Sequence, residues 1–181
     1  MLLKYIKSDL CRYIGLEKIS LFGFFRQYFF NSGFRFTVWL RLARSNNRIF
    51  SLIAKVQHRR FSKKYFLEIP VITNIGFGFY IGHGQCVVIN ATAKIGNNVN
   101  VSQFTSIGSN HNKAAVIGNN VYIGPNVCIV EDVVIGDNVI VGAGSVVTKS
   151  IPDNATSAGV PAKVLNVRKI PNIYVHNRWP V

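Results

Sequence analysis

The chain has 181 residues and a formal net charge of +14, long enough for one sizeable core with an accessory segment. Cys11, Cys86 and Cys128 show neither a CxxC pair nor a metal-ligand spacing, so the composition argues for reduced thiols and against a disulfide framework. No apolar run reaches the ~18 residues that span a bilayer, and the charges at Lys4 and Lys7 interrupt the apolar region that a cleaved signal peptide needs; the compartment expected is the cytoplasm.

The charge is concentrated at the start. Residues 1–68 hold 14 Lys/Arg against three acids, together with 10 of the 13 Phe and four of the seven Tyr. Residues 1–67 therefore read as a basic, aromatic N-terminal segment, with two or three short amphipathic helices between positions 5 and 64. Val38, Trp39, Leu40 and Leu42 alternate with Arg35, Arg41 and Arg44. Ile49, Phe50, Leu52, Ile53 and Val56 precede the cluster His58, Arg59, Arg60, Lys63 and Lys64. Two roles stand open: a cap whose charges stay solvated, or peripheral contact with anionic lipid headgroups. No nucleic-acid reading motif accompanies the charge, which argues against that partner.

From Ile69 onward an aliphatic residue returns every sixth position, at Ile69, Ile75, Ile81, Ile89, Ile95, Val101, Ile107, Ile117, Ile123, Ile129, Ile135, Val141 and Val147. A period of six is neither helical nor plain strand alternation, and predicts a solenoid of short strands joined by Gly- and Asn-rich corners. Three faces make an 18-residue coil, and stacked coils pair at roughly 4.8 Å. The cadence lapses twice: Ile81 to Ile89 spans eight residues and Ile107 to Ile117 spans ten. Loops on a rigid scaffold are where chemistry is usually carried. Each lapse holds one histidine, His83 and His111, while His58 and His176 fall outside the coils. Glu131, Asp132 and Asp137 read as exposed corner residues.

After Val147 the run VGAGSVVTKSIPDNATSAGVPAKVL departs from the period. Together with the repeats, it resembles the hexapeptide-repeat acyltransferases, in the branch of the serine acetyltransferases and polysaccharide O-acetyltransferases. The resemblance implies a mainly β fold, a left-handed parallel β-helix over residues 68–164, followed by a short tail at 165–181 without a readable signal. It also implies acetyl-CoA as cosubstrate and a homotrimer. In that branch an acid lies fifteen positions before the catalytic histidine; EIPVITNIGFGFYIGH places Glu68 fifteen before His83. Glu stands where Asp is usual, and Pro70 comes one position early.

The chemistry fits these residue types. Acetyl transfer from a thioester to an alcohol needs a base to take the hydroxyl proton, and imidazole titrates near neutrality. His83 is the candidate base and Glu68 its candidate orienter, with His111 a candidate for acceptor binding. By resemblance, coenzyme A is held at Ser109, Pro125 and Ala143, with its nucleotide end near Lys149 and Lys163. No metal is expected: the carbonic anhydrases that share this solenoid use three histidines for zinc, and only two lie in these coils. Three functions are weighed. The first is acetylation of a sugar hydroxyl in a surface polysaccharide or its precursor. Serine O-acetylation is the second, although a much larger N-terminal domain is usual there. The third is a non-catalytic trimeric solenoid that binds a membrane or protein partner.

Overall fold

The computed structural model describes residues 1–111, 113–168 and 173–181. Where two or three helices were expected, four form among the described residues: α1 (Leu2–Ile14), α2 (Leu21–Phe30), α3 (Ser32–Leu42) and α4 (Arg48–Tyr65), with a 3-10 turn at Leu16–Lys18. Capping explains the extra breaks. The side chains of Ser20, Asn31 and Asn47 accept hydrogen bonds from the amides of Gly23, Phe34 and Phe50, each at 3.0 Å. Each satisfies a donor that the first helical turn leaves unpaired, so the chain restarts a helix at every one.

Beyond Phe66 the chain enters the expected parallel β-solenoid, of about four turns. Its fifteen strands among the described residues, β1 to β15 in chain order, lie on three faces. The first face carries β1 (Leu67–Glu68), β4 (Val87–Ile89), β7 (Ser106–Ile107), β10 (Cys128–Ile129) and β13 (Val146–Val147). The second carries β2 (Asn74–Ile75), β5 (Lys94–Ile95), β8 (Val116–Ile117) and β11 (Val134–Ile135). The third carries β3 (Tyr80–Ile81), β6 (Asn100–Val101), β9 (Tyr122–Ile123) and β12 (Ile140–Val141), then the antiparallel pair β14 (Ala155–Gly159) and β15 (Ala162–Val167). This last pairing carries regular structure to Val167.

All thirteen anchors are at most 4 % exposed and fill the prism. The two lapses leave the stacking intact. Val88 pairs with Ser106, eighteen residues on; Asn74 pairs with Lys94, twenty on; Lys94 pairs with Val116, twenty-two on. The extra residues enlarge one corner and are absorbed there.

A ladder of Asx side chains runs up the corner between the second and third faces. The amides of Phe77, Asn97, Asn119 and Asp137 donate to the side-chain oxygens of Asn97, Asn119, Asp137 and Asp153 at 2.6–2.9 Å. Each rung satisfies a corner donor that no strand reaches. Asp137 is therefore a structural rung and not merely an exposed corner residue. Gly76 is required for the approach, because a Cβ there would sit 2.5 Å from Asn97 Oδ1.

The helical segment closes the open end of the stack. Phe36 and Leu40 join the same apolar cluster as Leu67, Ile69 and Ile75. Arg41, 2 % exposed, makes a bidentate pair with Asp9 at 2.9 and 3.0 Å and donates to the carbonyls of Ile75 and Gly76 at 2.8 and 2.6 Å. Asp9 also accepts from the Phe79 amide at 2.8 Å. Burial pushes the Asp9 carboxyl upward, and Arg41 and the Phe79 amide pull it back. Arg44 donates to the carbonyls of Val71 and Thr73. The cap reading expected solvated charges; instead Arg41 and Arg12 are buried, because the end of the solenoid presents carbonyls that need donors. His58, also buried, meets the Ile69 carbonyl through Nε2 at 3.0 Å and packs on Phe36. No helix among the described residues is long and apolar enough to cross a membrane.

Two outcomes follow for stability. Replacing one member of a buried pair costs about 3–5 kcal/mol, so Arg41→Ala will lower the melting temperature by on the order of 10 °C, measured by circular dichroism; an unchanged melting temperature would deny the pair its role. Burial depresses the His58 pKa below 6.5, so the folded state binds fewer protons than the unfolded one. That contribution is present above pH 6.5 and is lost as pH falls through the folded value. His58→Gln, which keeps a donor for Ile69, will flatten the fall in melting temperature between about pH 7 and 5.5.

Candidate active site

His83 sits at the corner between the third and first faces, in the first lapse of the repeat. Its backbone is left-handed, with φ 60°, and Gly84 follows at φ 56°. A non-glycine residue holds this conformation only where its surroundings impose it. Here the first turn of α3 imposes it: Ser32 Oγ donates to the His83 carbonyl at 3.3 Å, and a Cβ on Gly84 would lie 2.2 Å from the Gly33 nitrogen. On the far side of the loop the Cys86 amide donates to the Tyr65 carbonyl at 2.9 Å, tying it to the end of α4. The imidazole is exposed and makes no hydrogen bond among the described residues.

Beside it opens a cavity of about 410 Å³. Its floor is the outward column of the third face, where Tyr80, Asn100 and Tyr122 stand in register on successive coils. Tyr13 of α1 packs on Tyr80 with ring centroids 4.5 Å apart, and Tyr174 stacks on Tyr122 at 4.9 Å. Tyr13 also exchanges hydrogen bonds with the backbone of Ile81 through its hydroxyl, at 3.3 Å in each direction. Burial raises that phenol well above its ordinary value, so it stays protonated. Arg12 donates to Asn100 Oδ1 at 2.7 Å and to the Gly78 carbonyl at 3.1 Å. Burial lowers its guanidinium to about 10, which leaves it cationic at neutral pH. Gln103 occupies on the next coil the corner place that His83 holds below it. Its side-chain oxygen is buried without a partner, a state costing ~1–3 kcal/mol unless a donor arrives.

The sequence-derived candidates divide between two edges of the prism. Pro125 and Ala143 lie on the same edge as His83, after β9 and β12, and Lys163 is close to that edge on β15. Ser109, His111 and Lys149 lie on the edge between the first and second faces, after β7 and β13. Glu68 is exposed on β1, opposite Val88, and makes no hydrogen bond or ion pair with His83. The spacing of fifteen puts both near one coil without bringing the carboxylate to the ring.

His111 does have a carboxylate partner, and it is Glu131. His111 Nδ1 lies 2.9 Å from Glu131 Oε1, while Oε2 accepts from Ser109 Oγ and from the amides of Asn110 and His111, each at 2.9 Å. These bonds lower the Glu131 carboxyl to about 2, the His111 amide contributing most. Glu131 thus organises the second lapse, one coil above it, and is not only an exposed corner residue. A further group that sequence reasoning set aside is His176, which the C-terminal segment brings to the cavity beside His83. Nothing in the run NIYVHNRWP signals that return.

The comparisons fit this geometry. The family profile described as bacterial transferase hexapeptide (six repeats) matches residues 114–149. WcaB of Escherichia coli K12, named as a colanic acid biosynthesis acetyltransferase, is 39 % identical over 132 residues, covering 71 % of this chain and 81 % of that protein. Mitochondrial serine acetyltransferase 3 of Arabidopsis thaliana is 32 % identical over 133 residues, 71 % of this chain, yet the match spans only 34 % of the plant protein. Among solved structures, the serine acetyltransferase of Brucella abortus in complex with coenzyme A is similar with a TM-score of 0.75 and 25 % identity, over 90 % of this chain and 67 % of that one. With its thirteen buried anchors, its three parallel faces and a relative matched over most of its length, the chain belongs to the bacterial hexapeptide-repeat transferase family.

Proposed function

We propose that this chain transfers acetyl from acetyl-CoA to a hydroxyl of a sugar, in a surface polysaccharide or its precursor, with His83 as general base. The observation that carries the choice of acceptor is the charge of the cavity at His83. Its lining holds Arg12 and four tyrosines but no Asp or Glu among the described residues. An amino-acid acceptor is a zwitterion: Arg12 suits its carboxylate, but no acid among the lining residues meets its ammonium group. A sugar brings hydroxyls and apolar C–H faces, which suit tyrosine rings and amide groups. The name of WcaB supports the same acceptor class.

The His83 imidazole, free of hydrogen bonds among the described residues, is available to take the proton of an attacking hydroxyl. Glu68 is given the lesser part in this scheme, since it has no bond to the ring. Because one edge of the prism carries His83, Pro125 and Ala143 and another carries Ser109, His111 and Lys149, a single subunit cannot gather all six. A homotrimer sets one subunit's edge against its neighbour's, and coenzyme A would then lie along the groove between them. The Brucella enzyme crystallised with coenzyme A supports the cosubstrate.

A second surface supports peripheral attachment to anionic lipid. α2 exposes Phe22 at 79 % and Phe30 at 88 %, and α4 exposes Ile49 at 75 % and Leu52 at 64 %, within a segment of net charge +11. Apolar side chains among so many cations suit a negative headgroup layer better than a second copy of the same positive surface.

Free thiol release from acetyl-CoA in the presence of glycan acceptors will fall by ~10²–10⁴ in His83→Ala, the usual worth of a general base, and by no more than about tenfold in Glu68→Gln. Turnover with free serine and with no glycan would overturn the sugar assignment. The chain will sediment with phosphatidylserine-containing vesicles and not with phosphatidylcholine alone. Phe22→Ser with Phe30→Ser will weaken that binding; a wild-type chain left in the supernatant would remove the lipid surface from the scheme.

A further inference from the structure

We infer that the C-terminal segment, residues 173–181, is a built wall of the acceptor site, and that Tyr174, stacked on Tyr122, together with Gln103 selects a pyranose ring there. This rests on the sugar reading above and adds to it the residues that choose the acceptor.

The segment is fastened, not merely draped. Asn98 closes a two-point clamp on Trp179, donating to its carbonyl at 3.0 Å and accepting from its amide at 2.8 Å. Asn100 Nδ2 donates to the Tyr174 carbonyl at 3.0 Å, Arg12 Nε to the His176 carbonyl at 3.0 Å, and Cys11 Sγ to the Asn177 carbonyl at 3.5 Å. Val175 and Trp179 are 4 % and 8 % exposed, so their burial adds an apolar hold. Between these anchors Tyr174 and His176 stay exposed and line the cavity.

Asn100 and Arg12 explain why the wall stands where it does. Asn100 is 8 % exposed and fully engaged, with Arg12 on its oxygen and Tyr174 on its nitrogen. Arg12, held at the cap, reaches both Asn100 and the His176 carbonyl, so cap, third face and tail share one polar junction. Such a junction is costly if any member is left unpaired, which fixes the segment in one place.

The chemistry of the resulting slot is specific. Tyr174 and Tyr122 form a stacked aromatic surface next to the Tyr80–Tyr13 pair, with His83 at the rim. The C–H face of a pyranose packs on such rings, and turning the Gln103 amide toward the cavity would bring its Oε1, buried and unpartnered as it stands, to a ring hydroxyl. A hydroxyl on the opposite side of the ring can then be offered to His83.

The test reads binding separately from turnover. Saturation-transfer NMR of the full chain, without acetyl-CoA, is run against the methyl glycosides of galactose, glucose and fucose. Wild type is expected to transfer saturation to the ring C–H protons of at least one. Tyr174→Ala will weaken that glycoside by roughly tenfold or more, Gln103→Leu will weaken it and alter the preference among the three, and Tyr174→Phe, which keeps the stack, will bind within about threefold of wild type. The KM for acetyl-CoA should stay unchanged in all three and each should keep a cooperative melting transition well above the assay temperature, which separates the wall from a folding defect. Wild-type binding that persists undiminished in both Tyr174→Ala and Gln103→Leu overturns the wall and leaves the sugar reading standing. Absence of glycoside binding and of acetyl transfer in wild type removes the sugar reading and this inference together.

Discussion

The open end of a solenoid is its weakest place, since the first coil has no coil beneath it to pair its backbone or cover its core. In this chain the bidentate bond between Asp9 and Arg41 answers both needs. The guanidinium is shared between a carboxylate from α1 and the carbonyls of Ile75 and Gly76, and that carboxylate in turn takes the Phe79 amide. A charge so deeply buried persists only with every hydrogen-bonding position filled. The position of α1 and α3 against the first coil is thereby set to the geometry of a hydrogen bond. Everything else that the helices contribute to the site depends on that placement.

Two consequences reach the candidate active site from there. α3 starts beside Gly84 and presses the His83 corner into its left-handed turn, so the imidazole stands on a braced loop. α1 carries Arg12 and Tyr13 to the third face, where they build one side of the cavity and fasten the returning C-terminal segment. A cap that began as a way to satisfy the end of a stack thus supplies walls to the place where an acceptor would bind.

The coils themselves work by a different economy. Their anchors repeat because each face has the same task, and an insertion is tolerated wherever it bulges at a corner without moving the register. His83 and His111 occupy those bulges, but on different edges of the prism. Glu131 gives His111 a carboxylate that is itself held by the amides of Asn110 and His111, whereas the His83 ring, without a hydrogen bond among the described residues, stands beside a tyrosine-lined hollow that also holds Arg12. The contrast suits a division of labour in which one histidine is held still and the other is available to a proton.

The six-residue cadence determined the solenoid, its core and the place of both interruptions, because a periodic burial pattern is local and each coil repeats the same physical demand on the next. The cap signals at Ser20, Asn31 and Asn47 were equally local, though the amphipathic pattern that runs across them hid the true number of helices. What no local pattern carried was pairing at long range. That Arg41 seeks Asp9, that Glu131 and not Glu68 holds a histidine, and that His176 returns to lie beside His83 depend on distances closed by the whole fold. A run of charge or a stray histidine has the same appearance in sequence whether it ends in solvent or at a buried carbonyl. Only the three-dimensional arrangement, in which each buried donor must find its acceptor, decides between them.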